Sequence, residues 1–230
     1  DCRRDAAWVT AWNNGTPDNA LFSNINGNIA LTEAISAGTL SFHGGGWQSG
    51  ARQLALSGST LSLGSIAVNG FANGGNVASI GDAYNQRLAI NGMTINATGN
   101  VKVQRGMFYT YNGAVVNVSG GINSADAWNV FRMDSGSVTA TGGVDFSVIA
   151  SQVEILGGTL TTPFIKVGNA AFNGTGGLSM SGATVVATQN NSDFIQVYNN
   201  GDTGNRAAAW VGSSGLTLNT STFNVTVATQ

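Results

Sequence analysis

An imperfect eight-residue repeat constrains this chain more than any other feature. The stretch Leu54-Ala-Leu-Ser-Gly-Ser-Thr-Leu61 returns most clearly as Val153-Glu-Ile-Leu-Gly-Gly-Thr-Leu160. Apolar and polar residues alternate within each copy, which is the pattern of a strand with one buried face. A unit this short cannot bury its own apolar face, so its copies must stack around a shared core. Other copies begin at Leu88, Phe131, Leu178 and Leu216, and part of one begins at Val116.

A second short strand is predicted about a dozen residues after the start of most copies. Phe164-Ile-Lys-Val167 and Phe194-Ile-Gln-Val197 match almost residue for residue, and related strands are predicted at residues 66–68, 101–103 and 144–146. Gly-Gly and Asn-Gly pairs separate the strands, and these residues tolerate the positive φ of sharp turns. The unit is therefore strand, turn, strand, repeated in the same order.

This order predicts an all-β fold, a right-handed parallel β-helix (β-solenoid) with irregular loop insertions. Stacked coils about 4.8 Å apart give each strand a neighbour above and below. Prolines, which would remove donors from such a ladder, occur only at Pro17 and Pro163. Because Asn-Gly is also a hairpin signal, an antiparallel β-sandwich stays open as the alternative fold.

The spacing of the copies is irregular, and the irregularity carries information. The intervals between the starts range from 15 to 38 residues. The longest predict loops at residues 71–86 and 199–215 that protrude from the trunk. The 15 residues between Val116 and Phe131 are too few for a full coil on this register, so at least one of these two starts is misassigned.

The copy at residues 153–168, VEILGGTLTTPFIKVG, resembles the passenger-type β-helix repeats of bacterial autotransporter-like surface proteins. The resemblance extends over roughly residues 54–227. It implies a secreted or cell-surface protein with an adhesive or scaffold role. The start at Asp1 without a methionine is expected if a signal peptide has been removed. We expect a stand-alone subunit or a processed piece.

Composition argues against several classes of function. Charged residues make up only 9% of the chain and the net charge is −2, so we do not expect nucleic acid binding. The sequence has no apolar stretch of 18 residues, so we do not expect membrane insertion either. The lone histidine, His43, lies in a predicted loop with no partner for a metal site. Coil stacking could bring Asp134, Asp145 and Glu154 together, but solvated outward positions are the preferred interpretation. We expect no catalytic residue, cofactor or metal.

The two ends of the chain suggest self-assembly. Residues 1–21 lie outside the repeats and are predicted to cap the trunk or dock on another subunit, while residues 22–230 form the β-helix domain. The C-terminal strand has no polar cap, and an open edge strand attracts other chains. Head-to-tail contact between copies would build a filament or surface layer. The candidate interface residues are Cys2, Arg3, Arg4, Trp8, Trp12, Phe223, Val225 and Val227.

An adhesin or carbohydrate-binding module acting through its long loops is the alternative function. Trp47, Trp128 and Trp210 lie in or near predicted loops. An exposed indole can stack on a sugar ring or anchor an interface, so a surface polysaccharide is the second candidate partner after copies of the chain itself. Burial in the core is the competing explanation for each tryptophan.

Overall fold

A computed structural model shows a stack of coils joined by parallel strand pairing. It describes residues 14–15, 17–23, 25–45, 51–70, 83–148, 150–168, 177–189 and 193–197, and the backbone alone of 208–211, 216–219 and 225–227. Every strand pair within these ranges is parallel. The predicted parallel β-helix is confirmed, and the antiparallel β-sandwich alternative is wrong.

The first strand of each coil belongs to one sheet, which we call the front sheet. Its strands are hydrogen-bonded in chain order, because each coil adds its strand beside that of the coil before. They are β2 (Gly27–Leu31), β4 (Arg52–Gly58), β6 (Gln86–Asn91), β9 (Met107–Tyr111), β12 (Asn129–Met133), β15 (Ser151–Ile155), β18 (Gly177–Met180) and β21 (Ala208–Val211).

Two further stacks complete the trunk. The second stack contains β7 (Thr94–Ala97), β10 (Val115–Val118), β13 (Ser137–Ala140), β16 (Gly158–Thr162), β19 (Ala183–Ala187) and β22 (Leu216–Asn219). The third stack contains β8 (Val101–Gln104), β11 (Ile122–Ser124), β14 (Val144–Phe146), β17 (Ile165–Val167), β20 (Ile195–Val197) and β23 (Val225–Val227).

The early coils join the second and third stacks through single long strands. β3 (Ile35–His43) and β5 (Leu61–Asn69) each continue through the corner, and β5 pairs with β7 through its first half and with β8 through its second. β1 (Ala20–Ser23) pairs with the second half of β3. From β6 onward each described coil has three strands, so the strand predicted as second in the unit is the third.

The register corrects two of the predicted coil starts. Phe108, which the repeat search missed, stands opposite both Leu88 and Phe131 in the front sheet. Val116 lies in the second stack, and Leu216 belongs there too, opposite Ala183. Both were wrongly predicted to begin coils, because an apolar alternation looks the same in any of the three stacks.

The core is a narrow column of inward side chains shared by all three stacks. Leu54, Leu88 and Phe131 are fully or almost fully buried. The Phe131 ring lies 6.1 Å from that of Phe108 and 6.4 Å from that of Phe146, which comes from the third stack of the same coil. The interior is therefore filled by mostly apolar side chains, and the charged groups of the described residues lie on the outer faces and corners.

One corner repeats an uncommon backbone conformation. Arg105, Trp128 and Ala150 precede β9, β12 and β15 and have φ values of 50°, 64° and 56°. The register that places Val130 opposite Met107, and Asn129 opposite Ser151, makes their positions in the coil equivalent. Non-glycine residues rarely adopt positive φ, so this corner has a conformation that its surroundings must enforce.

Candidate functional site

The outer face of the front sheet carries a cluster of aromatic and charged side chains. Alternate residues of a strand point outward, so β9 presents Tyr109 and Tyr111, and β12 presents Arg132. Register places Tyr109, Arg132 and Glu154 side by side on successive coils. We call the following residues the front patch: Tyr84, Tyr109, Tyr111, Arg132, Asp134, Gln152 and Glu154.

Arg132 lies at the centre of the front patch and joins its two carboxylates. Its Nε and Nη2 atoms donate to Asp134 at 2.7 and 3.2 Å, and Nη1 donates to Glu154 at 3.4 Å. The side chain of Glu154 is only 12% exposed, against 29% for Asp134. Paired in this way, neither carboxylate is left buried without a counter-charge.

Tyr109 is held from several sides by this network. Its hydroxyl donates to Asp134 Oδ2 at 2.6 Å, and the Arg132 guanidinium lies 5.6 Å from its ring centroid. Its ring stacks on that of Tyr111 with centroids 4.7 Å apart and planes 5° apart. Tyr111 is partly exposed. The network therefore holds Tyr109 against one face of a tyrosine ring that solvent can reach.

The titration of the patch reflects this packing. Burial, the hydrogen bond to Asp134 and the negative charge of that carboxylate raise the pKa of Tyr109 to about 12. Partial burial alone would raise the pKa of Asp134, but the hydrogen bonds from Arg132 and Tyr109 outweigh it and hold that pKa below its usual value. Around neutral pH, Tyr109 is thus a neutral donor and Asp134 a charged acceptor.

A segment that precedes β6 folds over the same face. Ala83 is fully buried in a small apolar cluster with Met107 and Val130, outside the main core. The Tyr84 hydroxyl donates to Glu154 Oε1 at 2.5 Å and lies 3.1 Å from Gln152 Oε1. We predicted that residues 71–86 protrude from the trunk. The part of this insertion that the structure describes, residues 83–86, packs against it instead, because it brings apolar area and a hydroxyl to partners on the sheet.

Of the predicted ligand-binding tryptophans, the described part of the chain places two. Trp128 is half-buried at the corner before β12 and does not belong to the front patch. Trp210 belongs to β21, and its backbone stands opposite Ser179 of β18, which in turn stands opposite Glu154 of β15. Trp47 lies outside the described residues.

The predicted subunit-interface residues are placed only at the C-terminal end. Val225 and Val227 belong to β23 and stand opposite Ile195 and Val197 of the third stack. The other candidates lie outside the described residues: Cys2, Arg3, Arg4, Trp8, Trp12 and Phe223.

The structure brings together two of the three carboxylates considered in the sequence. Asp134 and Glu154 share Arg132, whereas Asp145 lies in the third stack, 3.7 Å from the amine of Lys166. His43 is the last residue of β3 and not part of a loop. Within the described ranges, His, Cys, Asp and Glu nowhere form a group of three suited to a metal ion, and no helix there is long and apolar enough to cross a membrane.

Sequence reasoning missed the tyrosines of the front patch. The signal was a Tyr-x-Tyr pair at residues 109–111 and an Arg-x-Asp pair at 132–134, each with the two-residue period of one strand face. These pairs could be placed side by side only once Phe108 was known to begin a coil. The outer face of the second stack shows what distinguishes the patch, since its described outward residues, such as Asn117 and Thr139, are uncharged and non-aromatic.

The fold is a parallel β-helix, and the front patch is a cluster of charged and aromatic side chains on the outer face of one of its sheets. The chain is similar to the adhesin BmaC autotransporter of Brucella suis biovar 1 (strain 1330), with 26% identity over 187 residues. This alignment covers 79% of the chain but 5% of that protein, so the chain spans about a twentieth of its relative. No protein-family model matches the chain, and no solved structure matches it significantly. The similarity supports the predicted resemblance to autotransporter passengers.

Proposed function

We propose that this chain is an adhesive segment of a secreted or cell-surface bacterial protein and that it binds its target through the front patch. The observation that carries the proposal is the partly exposed ring of Tyr111, stacked on a Tyr109 that Arg132 and Asp134 hold in place. The adhesin named in the comparison supports an adhesive role.

The physical case depends on rigidity. Tyr109 and Arg132 project from neighbouring strands of a continuous sheet, and their polar groups are already paired. Such side chains lose little conformational freedom when a partner binds, which reduces the entropic cost of association. Tyrosine and arginine are also the residue types that most often dominate binding energy at interfaces.

A binding role without catalysis is the function that this geometry favours. Asp134 accepts from Arg132 and Tyr109, and Glu154 accepts from Tyr84, Gln152 and Arg132. Carboxylates engaged in this way act chiefly to position their neighbours. We therefore propose that the patch binds its target and carries out no reaction on it.

Head-to-tail assembly into a filament stays a prediction from the sequence. It depends on the predicted capping or docking segment, residues 1–21, and on Phe223, Val225 and Val227; residues 1–13, residue 223 and the side chains of β23 are outside the described part of the chain. The proposed adhesive role is independent of it, since the front patch lies on a side of the trunk and not at its end.

The experiment is an adhesion assay with beads that carry the purified chain. Retention under flow is measured on an epithelial monolayer, a matrix-protein gel and a bacterial biofilm. We expect retention on at least one surface, and Tyr111→Ala should weaken it at least about tenfold, as truncation of an interface anchor does. The control is Asn117→Ala on the second stack, which should bind as the parent does. Absence of retention on all three surfaces, or equal retention by both variants, would contradict the proposal.

A further inference from the structure

We infer that Tyr111 forms the floor of a subsite for one uncharged sugar ring. The inference rests on the proposed function and specifies its ligand. Three polar residues neighbour the tyrosine in the sheet or in the chain. Asn91 stands directly opposite it on β6, Asn112 follows it in the chain, and Asp134 lies on the next coil, where its backbone N–H donates to Thr110 at 2.9 Å.

The ring of Tyr111 is suited to stacking. Its plane lies within 5° of that of Tyr109, and Tyr109 is itself fixed by a hydrogen bond to Asp134. One face of the Tyr111 ring therefore meets Tyr109, while the side chain as a whole remains partly exposed. An aromatic face carries negative charge density and attracts the weakly positive C–H groups that line one side of a pyranose.

The two asparagines provide hydrogen bonds of the kind that sugars need. Asn112 Nδ2 donates to Asn91 Oδ1 at 2.8 Å, which orients both amides across adjacent coils. A primary amide has two N–H donors and an oxygen with two lone pairs, so this one bond leaves most of their capacity unused. Sugar hydroxyls both donate and accept, and a pair of oriented amides beside an aromatic ring can bind two of them.

The charges near Tyr111 select against acidic sugars. Asp134 and Glu154 carry two negative charges and Arg132 one positive charge, which leaves an excess of one negative charge in the front patch. Arg87 lies four residues before Asn91 on β6, about 13 Å along the strand at 3.3 Å per residue, so Asp134, at the position beside Tyr111, is the nearer of these two charges. A sugar carboxylate would be repelled, whereas a neutral or amino sugar would not.

The test is a glycan array probed with the purified chain, on which neutral pyranose polymers are paired with their carboxylated counterparts at equal density. We expect binding to neutral or amino-sugar polymers, at least about tenfold weaker for Tyr111→Ala. Tyr111→Phe keeps the ring and should bind within a few-fold of the parent. Asp134→Asn should reduce the difference in binding between neutral and carboxylated polymers. Asn117→Ala should bind every polymer as the parent does. Thermal unfolding of each variant checks that it is folded.

The outcomes separate the two proposals. Equal or preferred binding of acidic polymers, or full binding by a folded Tyr111→Ala, would overturn the sugar subsite. If no polymer on the array binds while bead retention on cells or matrix still requires Tyr111, the sugar subsite is wrong and the adhesive function stands. If retention is also absent, both are wrong.

Discussion

The backbone N–H of Arg105 donates a 2.7 Å hydrogen bond to the side-chain oxygen of Asn129, which belongs to the next coil. The amide nitrogen of Asn129 donates in turn to the carbonyl of Asp126 and, at 3.3 Å, to the hydroxyl of Ser151 one coil further on. One buried asparagine thus connects three coils at the corner where Arg105 has positive φ.

Replacing Asn129 with alanine should therefore destabilise the trunk. The change removes the acceptor of the Arg105 N–H and leaves polar groups without partners at a buried corner, which costs about 1–3 kcal/mol. Asn117→Ala is the matched control, since the Asn117 side chain is exposed and, within the described residues, bonds only to that of Asn96, at 2.9 Å. Urea unfolding of both variants measures the difference. An equal loss of unfolding free energy in both variants would show that the hydrogen bonds of Asn129 add no more stability than that of an exposed asparagine.

Replacing a turn glycine with alanine should be more destabilising the more closely the preceding coil approaches that glycine. Gly136 has φ of 90°, and a Cβ there would lie 2.1 Å from the carbonyl oxygen of Ala114. Gly113 has φ of 77°, but a Cβ would meet nothing within 4 Å. We expect Gly113→Ala to cost about 1–2 kcal/mol from backbone strain alone, and Gly136→Ala to cost clearly more. Thermal and urea unfolding would test the order, and the reverse order would contradict the stacking described here.

Much of this architecture was predictable because the repeat encodes it locally. The alternation around Leu54 and Val153 and the turn glycine in most copies correctly indicated stacked parallel strands. The coil at Phe108 escaped notice for a physical reason. Thr110 occupies the position where neighbouring coils have Ile90 and Met133, so the apolar pattern is interrupted there.

The front patch was not predictable to the same degree. Tyr111 and Asp134 are 23 positions apart in the sequence, and only the register of β9 against β12 makes them neighbours. The contact from Tyr84 to Glu154 spans 70 positions and depends on how an insertion folds back. Composition and periodicity do not indicate that either pair of residues is close in space. The tryptophans were predicted to bind ligand from their residue type and their position near loops.

Tyr109 should make the protein sensitive to alkaline pH. Its pKa is about 12 in the folded chain against an ordinary value of 10, so the folded state favours the neutral phenol. The resulting stability is complete below pH 10 and is lost as the pH rises from 10 through 12. Tyr109→Phe has no proton to lose, and its free energy of unfolding should fall less over this interval. Tyrosinate absorbance and urea unfolding as functions of pH measure both effects. If the free energy of unfolding fell equally with pH in parent and variant, the raised pKa of Tyr109 would be contradicted.

At one interior site we expect a substitution to be more stable than the natural residue. Thr110 is fully buried between Ile90 and Met133, and its hydroxyl has no hydrogen-bond partner among the described residues. Valine has nearly the same shape without the unpaired hydroxyl, so we expect Thr110→Val to stabilise the protein by about 1–3 kcal/mol.

The matched control for Thr110 is Thr162, which is equally buried. Its hydroxyl donates to the carbonyl of Phe164 at 3.1 Å, so Thr162→Val breaks a hydrogen bond and should destabilise by about 1 kcal/mol. Two identical substitutions in one core are thus expected to act in opposite directions, and the midpoints of urea unfolding would show it. Destabilisation by both would mean that the Thr110 hydroxyl is paired after all, with water or with a residue outside the described ranges.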